Sequence, residues 1–214
     1  MQYLSQELKE TIQKASFIVF DYDLTMTNTR HVNFEAYRRL FVPYGIEITF
    51  EDYLAGAGGT PEDHCRIVVE KYNRGDIDVS VVAKGFEKET LHTTAEQGVE
   101  LFSYVPEVLA QTNCPVFIVT GNTTSIVEAS LKRWGIFDSI AAIFALNYSG
   151  AGKQNILNEL YQKQDAKTSP LFFEDLLHFL NDAKRIGYVT CGVAVDSSKA
   201  QQLTNNCDFL VKAF

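Results

Sequence analysis

Two aspartates one residue apart, Asp21 and Asp23, directly follow a short apolar run in this 214-residue chain. Thr120, Gly121 and Asn122 close a second apolar run, Lys153 stands in SGAGKQNIL, and the acid pair Glu174 and Asp175 closes SPLFFED. Four carboxylates, a hydroxyl, an ammonium and backbone amides form a set suited to phosphoryl transfer. Carboxylate oxygens hold a hard divalent cation such as Mg2+. A lysine and backbone N–H groups offset the charge on phosphoryl oxygens. A carboxylate can also attack phosphorus and form an acyl phosphate. Singly, these features are ordinary: polar loops follow most strands, Thr-Gly-Asn suits a turn and helix start, a lone lysine is usually solvated, and an acid pair favours a helix N-terminus. Their joint placement on the fold gives them weight.

The elements that must position them follow from the apolar pattern. Ser16–Phe20, nearly all apolar, suits a strand buried on both faces of a parallel sheet. Pro115–Gly121, SIAAIFALN, Ser169–Asp175, YVTCGVAV and CDFLVKAF give five more strands. Helical segments separate them: TTSIVEASLKRWG ends at Gly135, another helix runs to about Gly187, and SSKAQQLTNN is a short one. Residues 2–14 read as an amphipathic helix. This alternation predicts an α/β fold with a Rossmann-like parallel sheet and helices on both faces. Ligands of such sheets sit beyond the C-terminal strand ends, where all the residues named above fall.

Residues 28–100 differ. HVNFEAYRRLFVPYG and TPEDHCRIVVEKYN have helical spacing, AGAGG at residues 55–59 separates two helical pieces, and no continuous apolar strand appears. The chain is therefore divided into a core, residues 1–27 and 101–214, and an inserted α-helical cap, residues 28–100. Two chain crossings, near residues 28 and 100, suit a hinged lid.

Composition narrows the partners. The net charge is −8, with no basic run of five or more, so nucleic acid is not expected as a partner. No window of 18 apolar residues suits a membrane span, and MQYLSQELKETIQKA lacks a signal-like apolar stretch. Cys65, Cys114, Cys191 and Cys207 form no C-x-x-C pair, which gives no zinc signature. Cys114 and Cys191 lie in apolar runs and are expected to be buried thiols. A reducing, cytoplasmic setting follows as the expectation.

The chain resembles the haloacid dehalogenase superfamily, in its phosphatase-type branch with a helical cap after the first strand, alongside the beta-phosphoglucomutase and phosphoglycolate phosphatase types. The resemblance rests on FIVFDYDLTMTNT, FIVTGN, the lysine of GAGKQN and LFFEDLLHFLNDAKRIGYVTCGVAV, and spans about residues 16 to 213. It implies Asp21 as nucleophile and Asp23 as the acid that protonates the leaving oxygen and later activates water. It implies that Thr120, with the amides of Gly121 and Asn122, binds phosphoryl oxygens, and that Lys153 screens charge. It implies a Mg2+ site formed by Asp21, the backbone carbonyl of Asp23, Glu174 and Asp175. The substrate class is a small phosphorylated metabolite. Leu24 departs from the family, which usually has glycine after the second aspartate. Pro106-Glu107 replaces the usual proline-glycine, and proline suits a helix start.

Asp23 favours oxygen-linked esters, because the family's dehalogenases and phosphonate hydrolases lack this second aspartate. A sugar phosphomutase is the enzymatic alternative. It would carry a histidine early in the first cap helix and a basic residue in the cap loop. Here the position is Asn33, with His31 nearby, and AGAGGTPED has neither Lys nor Arg. A non-catalytic phosphate-ligand binding member is the other alternative, but it would have lost the nucleophile or metal acids. Within the cap, Arg30, His31, Gly56–Thr60, His64, Arg66 and Lys84 are candidate substrate contacts, though surface or structural roles are the commoner use of such residues. Tyr37, Phe41, Tyr44 and Phe50 are expected to form the cap core. Nothing in the sequence sets the substrate's identity or the oligomeric state.

Overall fold

The computed structural model describes residues 4–56, 59–148, 152–163 and 168–214. Residues 2 and 3 of the expected first helix, Ala57 and Gly58 of the glycine-rich loop, and residues 149–151 of SGAGKQNIL lie outside the described residues.

Helix α1 (Gln6–Lys14) begins later than its apolar pattern suggests, because the Ser5 side chain accepts from the Leu8 N–H and caps it there. Strand β1 (Ile18–Phe20) follows. The helical insertion contains α2 (Arg30–Phe41), α3 (Phe50–Ala55), α4 (Pro61–Lys71), α5 (Val79–Ala83) and α6 (Phe86–Gln97). The chain continues with α7 (Tyr104–Gln111), β2 (Val116–Thr120), α8 (Thr124–Trp134), β3 (Ala142–Ala145), α9 (Lys153–Lys163) and β4 (Leu171–Glu174). It ends with α10 (Leu177–Ile186), β5 (Val189–Ala194), α11 (Ser197–Leu203) and β6 (Phe209–Lys212). Helices α8 and α10 end at Gly135 and Gly187, both with positive φ, as their sequences predict. Among the described residues, no helix is long and apolar enough to cross a membrane.

Among the described residues, six strands pair in parallel in the order β3-β2-β1-β4-β5-β6. The winding reverses between β1 and β4, which makes a topological switch point there. Every residue of β1 is fully buried. Phe17 and Val19 pack with Phe117, Phe172, Leu157 and Ala183. Phe20 stacks on Phe173 with centroids 4.6 Å apart, and Tyr104 of α7 stacks against Phe173 at 5.8 Å. Both sides of the strand thus face protein, which is why its sequence shows no polar alternation. Phe20 is in register with Phe173, so the next residues along both strands, Asp21 and Glu174, emerge side by side.

The chain divides into two compact units, Met1–Asn28 with Glu100–Phe214, and Thr29–Val99. In the first, Thr27 bridges Leu101 in antiparallel fashion, and its hydroxyl donates to the Glu100 carbonyl at 2.6 Å. This ties together the segments on either side of the insertion. In the second, Tyr37 stacks on His64 at 3.7 Å and on Phe86 at 4.3 Å. Tyr37 and Phe41 are buried as expected, but Tyr44 is only half-buried and Phe50 is 44% exposed. Phe50 opens the six-residue α3, too short for helical spacing to define its buried face. Cys114 is likewise half-buried, unlike the buried Cys191. It sits in the loop before β2 and not in the strand itself.

Candidate active site

Asp21 leaves the end of β1 with its N–H donating to the Phe173 carbonyl at 3.0 Å. Its side chain is buried, and its Oδ1 accepts from Lys153 Nζ at 2.8 Å. Lys153, the first residue of α9, also donates to Glu174 Oε2 at 2.7 Å. The ammonium lies 4.3 Å from the centroid of the Phe179 ring, a cation–π contact. Lysines are seldom so buried unless paired, and this one joins the ends of two adjacent strands through their carboxylates.

Glu174 is fully buried. Its Oε1 accepts from the backbone N–H groups of Asp175 and Leu176, each at 3.0 Å. It therefore shapes the loop after β4 while holding Lys153. Asp175 is buried beside it, with its Oδ2 3.3 Å from Lys199 Nζ. One carboxylate oxygen from each of Asp21, Glu174 and Asp175 lies within 4.8 Å of the others. An all-oxygen group of this kind matches the ligand preference of a hard divalent cation. Both Glu174 oxygens are already hydrogen-bonded within the protein, so Asp21 and Asp175 are the members with more free ligand capacity.

The electrostatics reflect this crowding. Burial pushes the Asp21 carboxyl up to about 7, with Glu174 adding to the rise and Lys153 opposing it. Burial likewise raises Glu174 to about 7, against the pull of Lys153. Asp175 is raised by burial and by Asp21, while Lys199 opposes. Burial draws the Lys153 ammonium down, but Asp21 and Glu174 outweigh it and the net shift is upward. These are carboxylates whose charge calls for a cation.

Asp23 is half-buried, and its Oδ2 accepts from Asn122 Nδ2 at 2.9 Å. Between the two aspartates, Tyr22 turns into the core, where its hydroxyl donates to Ser130 at 2.7 Å. Leu24 then takes a left-handed conformation, φ 57°, and its N–H donates to the Thr27 carbonyl at 2.8 Å. The turn after Asp23 thus keeps a backbone shape that glycine adopts without strain.

Thr120 ends β2 fully buried, and its hydroxyl accepts from the Asn122 N–H at 3.1 Å. The Asn122 amide, expected to face phosphoryl oxygens, is therefore engaged within its own turn. Its side chain has a further use that sequence reasoning missed, the bond to Asp23. Lys199 was missed as well. It lies beyond the last motif, on a short helix whose pattern signals nothing about Asp175.

The profile of the family described as haloacid dehalogenase-like hydrolase matches residues 18–193. The chain belongs to that family and is an enzyme of its class. No functionally curated protein matches the sequence. Solved structures share the fold. A protein of Thermotoga maritima assigned as a beta-phosphoglucomutase is 19% identical, with a TM-score of 0.73 over 92% of this chain and 94% of that one. CbbY of Rhodobacter sphaeroides, in complex with phosphate, is 17% identical, with a TM-score of 0.72 over 92% and 93%. YfnB of Bacillus subtilis, a hydrolase bound to magnesium, is 14% identical, with a TM-score of 0.69 over 93% and 95%.

Proposed function

We propose that this protein is a Mg2+-dependent phosphomonoester hydrolase that works through a phosphorylated Asp21. The observation that carries the reading is Asp21 itself, buried at the switch point, held by Lys153 and adjoined by Glu174 and Asp175. The family membership and the phosphate and magnesium in two related folds support it. The substrate is a small phosphorylated metabolite.

Asp21 supplies the attacking oxygen. Its carboxylate forms a bond to phosphorus as the ester P–O bond breaks, and Asp23 gives its proton to the departing oxygen. Water then attacks the aspartyl phosphate and loses a proton to the Asp23 carboxylate. Orthophosphate leaves and both aspartates are restored. Lys153 holds Asp21 in place and offsets its charge against the phosphoryl group. Thr120 and the N–H of Gly121 hold phosphoryl oxygens. Asp21, Asp175, Glu174 and the Asp23 carbonyl would hold Mg2+, which would screen the repulsion between nucleophile and phosphate.

A phosphomutase would return the phosphoryl group to the substrate. His31, on the first helix of the insertion, has its Nε2 3.1 Å from the Gly98 carbonyl oxygen. That ring nitrogen is occupied with local backbone, which favours hydrolysis. A panel of small phosphate esters, assayed for orthophosphate with and without Mg2+, tests the reading. Orthophosphate released from at least one ester only with the cation supports it. Conversion to an isomer without release contradicts it.

A further inference from the structure

Lys199 lies in the first turn of α11, outside the 18–193 span of the family match. Its backbone N–H donates to Asp196 Oδ1 at 2.8 Å, which fixes the start of that helix. Its ammonium lies 3.3 Å from Asp175 Oδ2, with the side chain 16% exposed. That oxygen is buried and makes no hydrogen bond, so the contact is a through-space ion pair. Lys153 differs: its side chain is 4% exposed, and it donates two short hydrogen bonds. The three grouped acids therefore face two ammoniums, one locked between two carboxylates and one with a path to solvent.

We infer that Lys199 is an internal counter-cation for Asp175 that competes with the divalent ion and sets the site's metal affinity. The inference rests on the reading of Asp21, Glu174 and Asp175 as the divalent site. The physical reason is simple. A cation arriving at Asp175 meets an ammonium on the same carboxylate, and like charges at such separations repel strongly where water is scarce. Lys199 either swings toward solvent or stays and weakens the bond. In both cases its charge opposes binding. Without the metal, the same ammonium neutralises a buried carboxylate that would otherwise be uncompensated. Lys199 is thus a positioning residue, acting through Asp175.

The test is Mn2+ binding to the metal-free protein, followed by the paramagnetic resonance of the free ion and by calorimetry. The proteins compared are the wild type, Lys199→Gln, Lys199→Arg and Asp175→Asn. Gln removes the charge but keeps a donor, and Arg keeps the charge. The inference expects Lys199→Gln to bind Mn2+ on the order of tenfold more tightly than wild type, the usual scale of outer-shell effects on metal affinity. Lys199→Arg should stay near wild type and Asp175→Asn should bind far more weakly. If wild type loses affinity on Asp175→Asn but Lys199→Gln binds equally or more weakly than wild type, the role of Lys199 is overturned and the metal site stands. If wild type and Asp175→Asn bind Mn2+ alike, the metal site itself fails, and the inference with it. Circular dichroism melts confirm that each variant is folded.

Discussion

The side-chain amide of Asn122 donates to Asp23 Oδ2 at 2.9 Å across 99 positions of sequence. The turn after β2 thereby helps to orient the aspartate assigned as acid and base. Asn122→Ala removes this donor and weakens the hold on the Asp23 carboxylate. The expected cost is about tenfold in turnover of an alkyl phosphate, equivalent to ~1.4 kcal/mol. The cost to the first step with p-nitrophenyl phosphate should be smaller, because that leaving group needs no proton. Single-turnover rates of leaving-group release from the two esters check this, and equal losses in that step would contradict the assigned role as acid.

Removing the divalent ion should abolish turnover. The grouped Asp21, Glu174 and Asp175 oxygens are hard donors, so Mg2+ should restore activity after chelation with EDTA. Full turnover in EDTA would remove the metal from the account.

How much of this was legible in the sequence varies by residue. Phe17–Phe20 ends at Asp21, and Leu171–Phe173 ends at Glu174, so two buried strands announced where the acids would emerge. The glycines closing α8 and α10 marked those helix ends. The bond from Asn122 to Asp23 was not legible, because it depends on how two strand ends splay and not on either motif. Lys199 was hidden for a similar reason: its partner Asp175 is 24 positions away, on a different strand end. Exposed Phe50 misled because apolar residues at helical spacing look alike whether they face the interior or the solvent.

Leu24 holds φ 57° in the turn after Asp23, a region costing an L-residue roughly 1–2 kcal/mol. The ordinary order of alanine over glycine should therefore reverse at this position. Leu24→Gly should be more stable than Leu24→Ala by about 1 kcal/mol in urea unfolding. Alanine as the more stable variant would show that the turn does not require the left-handed conformation.

Burial pulls His64 down to about 4, below its usual 6.5, with the Gly56 backbone and Asp52 opposing. The folded histidine stays neutral where the unfolded one binds a proton. Its contribution is therefore complete above pH 6.5 and is lost as pH falls toward 4. A shift of this size corresponds to a loss of about 3 kcal/mol. His64→Asn, which cannot titrate, should show a flatter fall in thermal stability over that window, whatever its stability at neutral pH. An unchanged slope would mean that His64 is not the group responsible.

The phosphoryl group carried by Asp21 is the centre of the account, and trapping it is the most direct measurement. Asp23→Asn lacks the base that activates water, so p-nitrophenyl phosphate should release a burst of p-nitrophenol and leave a phosphoenzyme that turns over slowly. Rapid quench followed by peptide mass spectrometry should locate one phosphoryl group on Asp21. Asp21→Asn should give neither burst nor adduct, and no turnover with any ester. Near-wild-type hydrolysis by Asp21→Asn, or an adduct on a different residue, would contradict the assignment of Asp21 as nucleophile.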